Sequence, residues 1–298
     1  MRSAPEIEVV AAVGARLGEC PIWSVAESVL YWEDVEGCAI HRHDPSTGEN
    51  TSRTLPARPG SFVFSKVPGQ FVVAMEHQLV RLDWGSGEVT TISDIEAGGT
   101  GNRLNDGRCD PAGRFVVGSM YGDVSADRSS GILHQIDGDG VATTLRTDIG
   151  VSNGIVFDAE RGRMYFTDTP IRRIVVWDYD LDTGERHNER LFFDYTTVRG
   201  LPDGACLDVD GCYWSASIFA GALTRITPDG DVDRIVELPI HTPTMPCFGG
   251  PNLDTMYVTS LVADDEEHRY EGTGDLRAGS LIALDVGAQG IPETPFMA

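Results

Sequence analysis

Four short stretches of this chain place an oxygen-bearing side chain five residues ahead of a turn residue. "LNDGRCD" (104–110), "SNGIVFD" (152–158) and "PDGACLD" (202–208) set Asn105, Asn153 and Asp203 ahead of a closing Asp, and "ECPIWS" (19–24) sets Glu19 ahead of Ser24. Two carboxylates and two amides, with no His or Cys among them, suit a hard cation such as Ca, Mg or Mn better than a structural zinc ion. Three protein ligands would leave coordination positions open, as metal-assisted catalysis requires. Asn-Gly and Asp-Gly are ordinary turn formers. One such pair carries little weight, and the inference rests on their recurrence.

Side chains this far apart in sequence need a repeating scaffold to meet. Strand-like runs rich in Val, Tyr, Phe and Trp begin at Val29, Phe71, Phe115, Met164, Cys212 and Met256, at intervals of 42, 44, 49, 48 and 44 residues. Most are followed by a second strand and a hairpin turn, among them "DPSTGE", "WGSGE", "DGDG" and "DLDTGE". No segment shows a long helical period. Six all-strand units of this length predict a six-bladed β-propeller of four-stranded antiparallel blades, spanning residues 1–298 as a single domain. Residues 5–12, "PEIEVVAA", are expected to supply the outer strand of the last blade. Counting five residues back from Ser24, Ser65, Asp110, Asp158, Asp208 and Asn252 gives Glu19, Gly60, Asn105, Asn153, Asp203 and Cys247. In a propeller these six would form one ring about the central channel.

The formal net charge of −23 argues against nucleic-acid or anionic-membrane partners, which need a basic surface. No apolar run approaches the ~18 residues of a membrane span. The first twenty residues show no charged region followed by a long apolar run, so no signal peptide is expected. The six cysteines form no Cys-x-x-Cys and are expected to be reduced, in a cytoplasmic protein, monomeric or weakly homo-oligomeric. "EAGGTGN" (96–102) lacks the dinucleotide fingerprint and reads as a loop. "DGDG" (137–140) lacks the calcium-loop pattern and reads as a hairpin turn. His41 and His43 share one face of a strand without a third ligand and are expected at the surface or in blade packing; the five tryptophans sit in or beside strands and are expected to pack blades. "ADDEEH" (263–268) reads as a solvated loop. No Gly-x-Ser-x-Gly is present, against a covalent serine mechanism.

"LGECPIW" (17–23), "RLNDGRCDPAGRFVVGSM" (103–120), "SNGIVFDAERGRMYFTDT" (152–169), "GLPDGACLDVDGCYWSA" (200–216) and "FGGPNLDTMYVTS" (248–260) resemble the gluconolactonase, senescence-marker-protein and regucalcin family. The resemblance runs in order from about residue 15 to 285. It implies a six-bladed propeller with one divalent metal ion (Ca, Mn, Mg, Zn or Fe) held by Glu19, Asn153 and Asp203. It implies substrate contacts at Arg103, Asn105 and Asp123, the last in a loop, "YGDVSADRSSG", that departs from the family pattern. Cys20 and "WSASIFAG" also depart from it without removing a ligand. The implied reaction is hydrolysis of a sugar (aldono)lactone to its sugar acid. In it the metal would polarise the carbonyl, and Asp203 would activate or orient water. The alternatives are a calcium-binding regulatory protein without turnover, or a hydrolase of a non-sugar lactone or ester.

Overall fold

In a computed structural model, residues 6–96, 98–262 and 278–298 are described. The acidic run 263–268 and the rest of the 263–275 loop lie outside these residues. Among the described residues are twenty-four strands, β1–β24 in chain order, in six four-stranded antiparallel sheets. These are the blades of a six-bladed β-propeller, as the repeat interval predicts.

The chain divides into two compact units, Met1–Thr54 with Val198–Pro292, and Leu55–Thr197 with Glu293–Ala298. In the first unit one blade runs β2 (Gly18–Ser24), β3 (Val29–Asp34), β4 (Ala39–Asp44), β5 (Glu49–Thr54). Another runs β18 (Leu201–Leu207), β19 (Tyr213–Ile218), β20 (Ala222–Ile226), β21 (Val232–Glu237). The third is β22 (Pro243–Gly249), β23 (Thr255–Ser260), β24 (Leu281–Leu284) and, closing it from the other end of the chain, β1 (Ile7–Ala11). Ile7 pairs with Leu284 and Val9 with Ile282, so the amino-terminal segment does supply the outer strand. In the second unit the blades are β6 (Pro59–Phe64) to β9 (Val89–Asp94) through β7 (Gln70–Met75) and β8 (Gln78–Asp83); β10 (Asn102–Cys109) to β13 (Ala142–Ile149) through β11 (Phe115–Tyr121) and β12 (Gly131–Ile136); and β14 (Ser152–Asp158) to β17 (Arg186–Asp194) through β15 (Arg163–Asp168) and β16 (Arg173–Tyr179).

Burial grades outward across each blade. The second strands "VLYWED" and "YWSASI" are buried at every position, and the other four at every position but one at an end. A strand covered on both faces has no reason to alternate. The outermost strands, such as "ENTSRT" and "VDRIVE", are largely exposed and polar. Cores form where blades stack: Cys206, Trp214 and Leu223 pack with Phe248, Met256 and Ile282, and Val116 and Leu133 pack with Phe157, Phe166 and Trp177. His41 stacks on Trp32 with ring centroids 4.3 Å apart, and His43 hydrogen-bonds Asn50 at 3.1 Å, so both histidines serve blade packing.

The closing Asp of each repeated phrase is a turn cap. Asp110 Oδ1 accepts from the backbone N–H of Ala112 and Arg114, and Asp208 Oδ1 from those of Asp210 and Cys212. The outer hairpins repeat a second device. Asp44 and Asp180 accept locally from their own turn, and Gly48 and Gly184 close it at φ +73° and +78°, which a side chain would strain. All six cysteines are free. Among the described residues no helix is long and apolar enough to cross a membrane.

Candidate metal and substrate site

Every first strand of a blade slips by one residue against its neighbour. The slips lie between Glu19 and Ile22, Pro59 and Ser61, Leu104 and Gly107, Asn153 and Val156, Pro202 and Ala205, and Pro243 and Pro246. A bulge re-aims side chains and is common beside active sites. Glu19, Gly60, Asn105, Asn153 and Asp203 all border or occupy it. Cys247 does not: it lies beyond the slip, pairs regularly with Tyr257 and packs with Trp23. The sixth equivalent position is near Thr244. Counting back from Asn252 fails because Asn252 stands inside the turn: its first residue, equivalent to Asp110 and Asp208, is Gly250, whose carbonyl accepts from Leu253 N.

In the second unit the structure joins three of the sequence-predicted residues in one chain of hydrogen bonds. Arg103, buried on β10, donates through Nη1 to Asn105 Oδ1 at 2.6 Å and to the Leu104 carbonyl at 3.1 Å. Asn105 Nδ2 donates to Asn153 Oδ1 at 3.1 Å and to the Ser152 carbonyl at 2.9 Å. Asn153 Nδ2 donates to Thr169 Oγ1 at 2.9 Å. These donors fix which end of each amide is oxygen. An amide oxygen has two lone pairs, so Asn153 Oδ1 keeps one beyond its bond from Asn105. Gly60 shows how tightly β6 approaches this chain: a Cβ there would fall 2.2 Å from the Leu104 carbonyl oxygen. Ser61 Oγ completes the packing by donating to the Asn105 carbonyl at 2.8 Å.

In the first unit Glu19 is half-buried on β2 and Asp203 is buried on β18. The strand β22 packs against both β2 and β18. Thr244 Oγ1 donates to the Gly18 carbonyl beside Glu19, and Met245 fills the space above Gly204, next to Asp203. Asp123 is placed differently. It is exposed, caps a short 3-10 turn (Val124–Ala126), and accepts from Ser125 N at 3.0 Å and Ser125 Oγ at 2.6 Å. It joins the Arg103–Asn105–Asn153 chain through none of these bonds. It lines a neighbouring cleft whose floor is Met120 and Val151, bridged to each other, with Met120 paired to Arg103.

Two carboxylates of this region were not legible as site residues. Asp106 is buried, and its Oδ2 accepts from Ile155 N at 3.1 Å, tying β10 to β14 beside the amide chain. Burial raises its pKa, against the opposing pull of the Ile155 N–H and the Arg108 charge. In sequence it reads only as half of an Asp-Gly turn. Glu96 is buried at the foot of the Gly-rich loop. It accepts from Asn102 Nδ2 at 2.8 Å and lies 2.9 Å from His134 Nε2. Asn102 in turn donates to the Ser130 carbonyl and accepts from Ser130 Oγ, stapling the base of the loop that carries Asp123. Burial pushes the Glu96 carboxyl up, but the hydrogen bonds from His134, Ser119 and Asn102 outweigh it and hold the group below its usual 4.5.

A carboxylate with a depressed folded pKa adds stability above its unfolded value and loses it as pH falls through the folded one. Glu96→Gln is therefore expected to cost about 1–3 kcal/mol near pH 7, with the deficit shrinking below pH 4.5. Urea unfolding at pH 7 and pH 3.5 checks this. A deficit equally large at both would remove the carboxylate charge as its source.

Comparison with known proteins places these features in a family. A family model described as "SMP-30/Gluconolactonase/LRE-like region" matches residues 17–262. The chain is 39% identical to 6-deoxy-6-sulfogluconolactonase of Pseudomonas putida, over 94% of each chain. It is 35% identical to the pentonolactonase XacC of Haloferax volcanii, over 95% of this chain and 96% of that one. Its fold superposes on a calcium-binding protein, regucalcin, from Agrobacterium tumefaciens with a TM-score of 0.90 at 26% identity, covering 99% and 97% of the two chains. With a match across most of its length and the family's motifs in order, the chain belongs to the SMP-30/gluconolactonase/LRE-like family.

Proposed function

We propose that this protein is a metal-dependent sugar lactonase that hydrolyses an aldonolactone to its acid. The observation that carries the reading is the Arg103–Asn105–Asn153 chain. It presents a buried guanidinium and two oriented amides, which suit a polyhydroxylated ring, beside an amide oxygen with a lone pair to spare. The names of the two lactonase relatives support a lactone as the substrate.

Glu19, Asn153 and Asp203 would hold a divalent cation. Among the described residues no group of three or more His, Cys, Asp or Glu could hold a metal. The proposed set accordingly has two carboxylates and takes its third donor from an amide, a set that fits a hard cation. Ionised Glu19 and Asp203 together offset a 2+ charge. A bound divalent ion supplies Lewis-acid polarisation of a carbonyl and charge to stabilise an oxyanion. Asp203 accepts the proton of the attacking water and returns it to the departing ring oxygen, which leaves as the sugar hydroxyl. Arg103 and Asn105 orient the substrate hydroxyls. The six free cysteines support a reducing, cytoplasmic setting; we place the protein there as a monomer or weak homo-oligomer.

The test is acid release from gluconolactone, xylonolactone and arabinonolactone, followed with a pH indicator, after chelation and with each divalent metal restored. Hydrolysis that appears only with metal is the expected result. Failure on every lactone with every metal would leave the second reading, a calcium-binding protein without turnover, which the name of the Agrobacterium structure favours.

A further inference from the structure

The cleft beside the amide chain is lined by Met120, Tyr121, Asp123, Arg128, Val151 and Pro170, among others. It adjoins the polyol contacts directly. Val151 precedes Ser152, whose carbonyl accepts from Asn105, and Met120 pairs with Arg103. A ring held by Arg103 and Asn105 would therefore extend its far substituent into this cleft. We infer that the cleft is a subsite for an anionic substituent of the lactone, and that Arg128 is the residue that selects for it. The inference rests on the lactonase reading above and names its substrate class.

The guanidinium of Arg128 lies 4.2 Å above the centre of the Tyr121 ring. Arg128 is exposed, and a guanidinium over a ring face keeps N–H donors for a ligand. Among the described residues Arg128 has no carboxylate partner, although the chain carries 46 Asp and Glu against 23 Lys and Arg. The fork matches two oxygens of a carboxylate, phosphate or sulfonate in a bidentate contact. Met120, Val151 and Pro170 supply apolar walls.

Two acids share the cleft. Asp123 is engaged by Ser125. Asp127, next to Arg128 and at φ +46°, is the group that opposes an anion. The chain's large negative charge repels an anionic substrate at long range. Preference for one must then arise at short range, from the Arg128 fork.

The experiment compares kcat/KM on gluconolactone, gluconolactone 6-phosphate and glucarolactone for the wild type, Arg128→Gln, Arg128→Lys and Asp127→Asn. Arg128→Gln should lower kcat/KM on the two charged lactones at least about tenfold, as loss of a charged hydrogen-bonding partner does. The neutral lactone should stay within about twofold. Arg128→Lys should retain part of the preference, and Asp127→Asn should raise it. Equal changes on charged and neutral lactones would overturn the assignment. Phosphate and carboxylate arms that diverge would identify which anion the fork accepts. Calorimetry with 6-phosphogluconate and gluconate reads the same contact without turnover. Weaker binding of the phosphate alone in Arg128→Gln supports the subsite even in a protein that hydrolyses nothing. No preference for 6-phosphogluconate in the wild type overturns it even in an active lactonase.

Discussion

Asp203→Asn is expected to lower kcat for lactone hydrolysis by about two to four orders of magnitude, the range for loss of a positioned proton acceptor. The fold should be retained. Asn has the shape of Asp and keeps one oxygen, but it neither takes a proton nor adds negative charge. Asp203 is buried within the register slip of β18, where Met245 covers the adjacent Gly204. The variant should therefore melt close to the wild type. Titration with metal separates the two roles proposed for this side chain. Activity that returns at high metal concentration would assign Asp203 to ion binding alone. A deficit in kcat that persists at saturation assigns it to proton transfer as well. Full activity in Asp203→Asn would remove it from the site.

Five residues further along the chain, Asp208→Ala is expected to have the opposite profile. It should cost about 3–5 kcal/mol of stability, as loss of one member of a buried ion pair does. Below its melting point the variant should keep the wild-type kcat. Asp208 is completely buried at its side chain, and its Oδ2 takes bonds from Trp214 Nε1 and Arg225 Nε, both at 2.8 Å. Its Oδ1 caps the turn. Removal leaves a nearly buried guanidinium with only the more exposed Asp210 and Asp233. It also leaves an indole N–H and two backbone N–H groups without their acceptor. The Cys212 thiol, pushed up to about 11 by burial and then by Asp208, should titrate lower in the variant. Urea unfolding and thiol reactivity against pH measure both effects. A loss under about 1 kcal/mol would show that the network carries little. The contrast between Asp203 and Asp208 is informative because both are buried acids in one seven-residue phrase.

The blades could be read from the sequence because each is local. A buried strand of Val, Tyr, Phe and Trp, a hairpin turn and a polar outer strand all fall within about fifty residues. Even the closing of the last blade by residues 7–11 was legible, because "IEVVA" has strand composition and the blade otherwise lacks an outer strand. Equivalence between repeats singled out Asn105 and Asn153, and the structure joins the two by a hydrogen bond. In the last blade, where Asn252 stands inside the turn, the same reasoning gave Cys247 instead of a position near Thr244. The supports of the site were hidden for another reason. Glu96 meets His134, and Asp110 meets Tyr179, across 38 and 69 residues respectively. No period relates those positions, so only the packing of strands brings them together. Arg128 was invisible because a single arginine in a polar loop has no pattern, and its meaning comes from the ring beneath it.

The pairing of β1 with β24 has a consequence for how the protein is made. Ile7 waits for Leu284, 277 positions later, before its backbone groups find their ladder. Its strand stays unpaired until that distant partner has been made, and ring closure of that length is slow. At the other end Phe296 is buried against the blade of β6, its N–H bonded to the Phe64 carbonyl, and Lys66 Nζ donates to the Met297 carbonyl. Segments that leave the ribosome late thus seal blades laid down early.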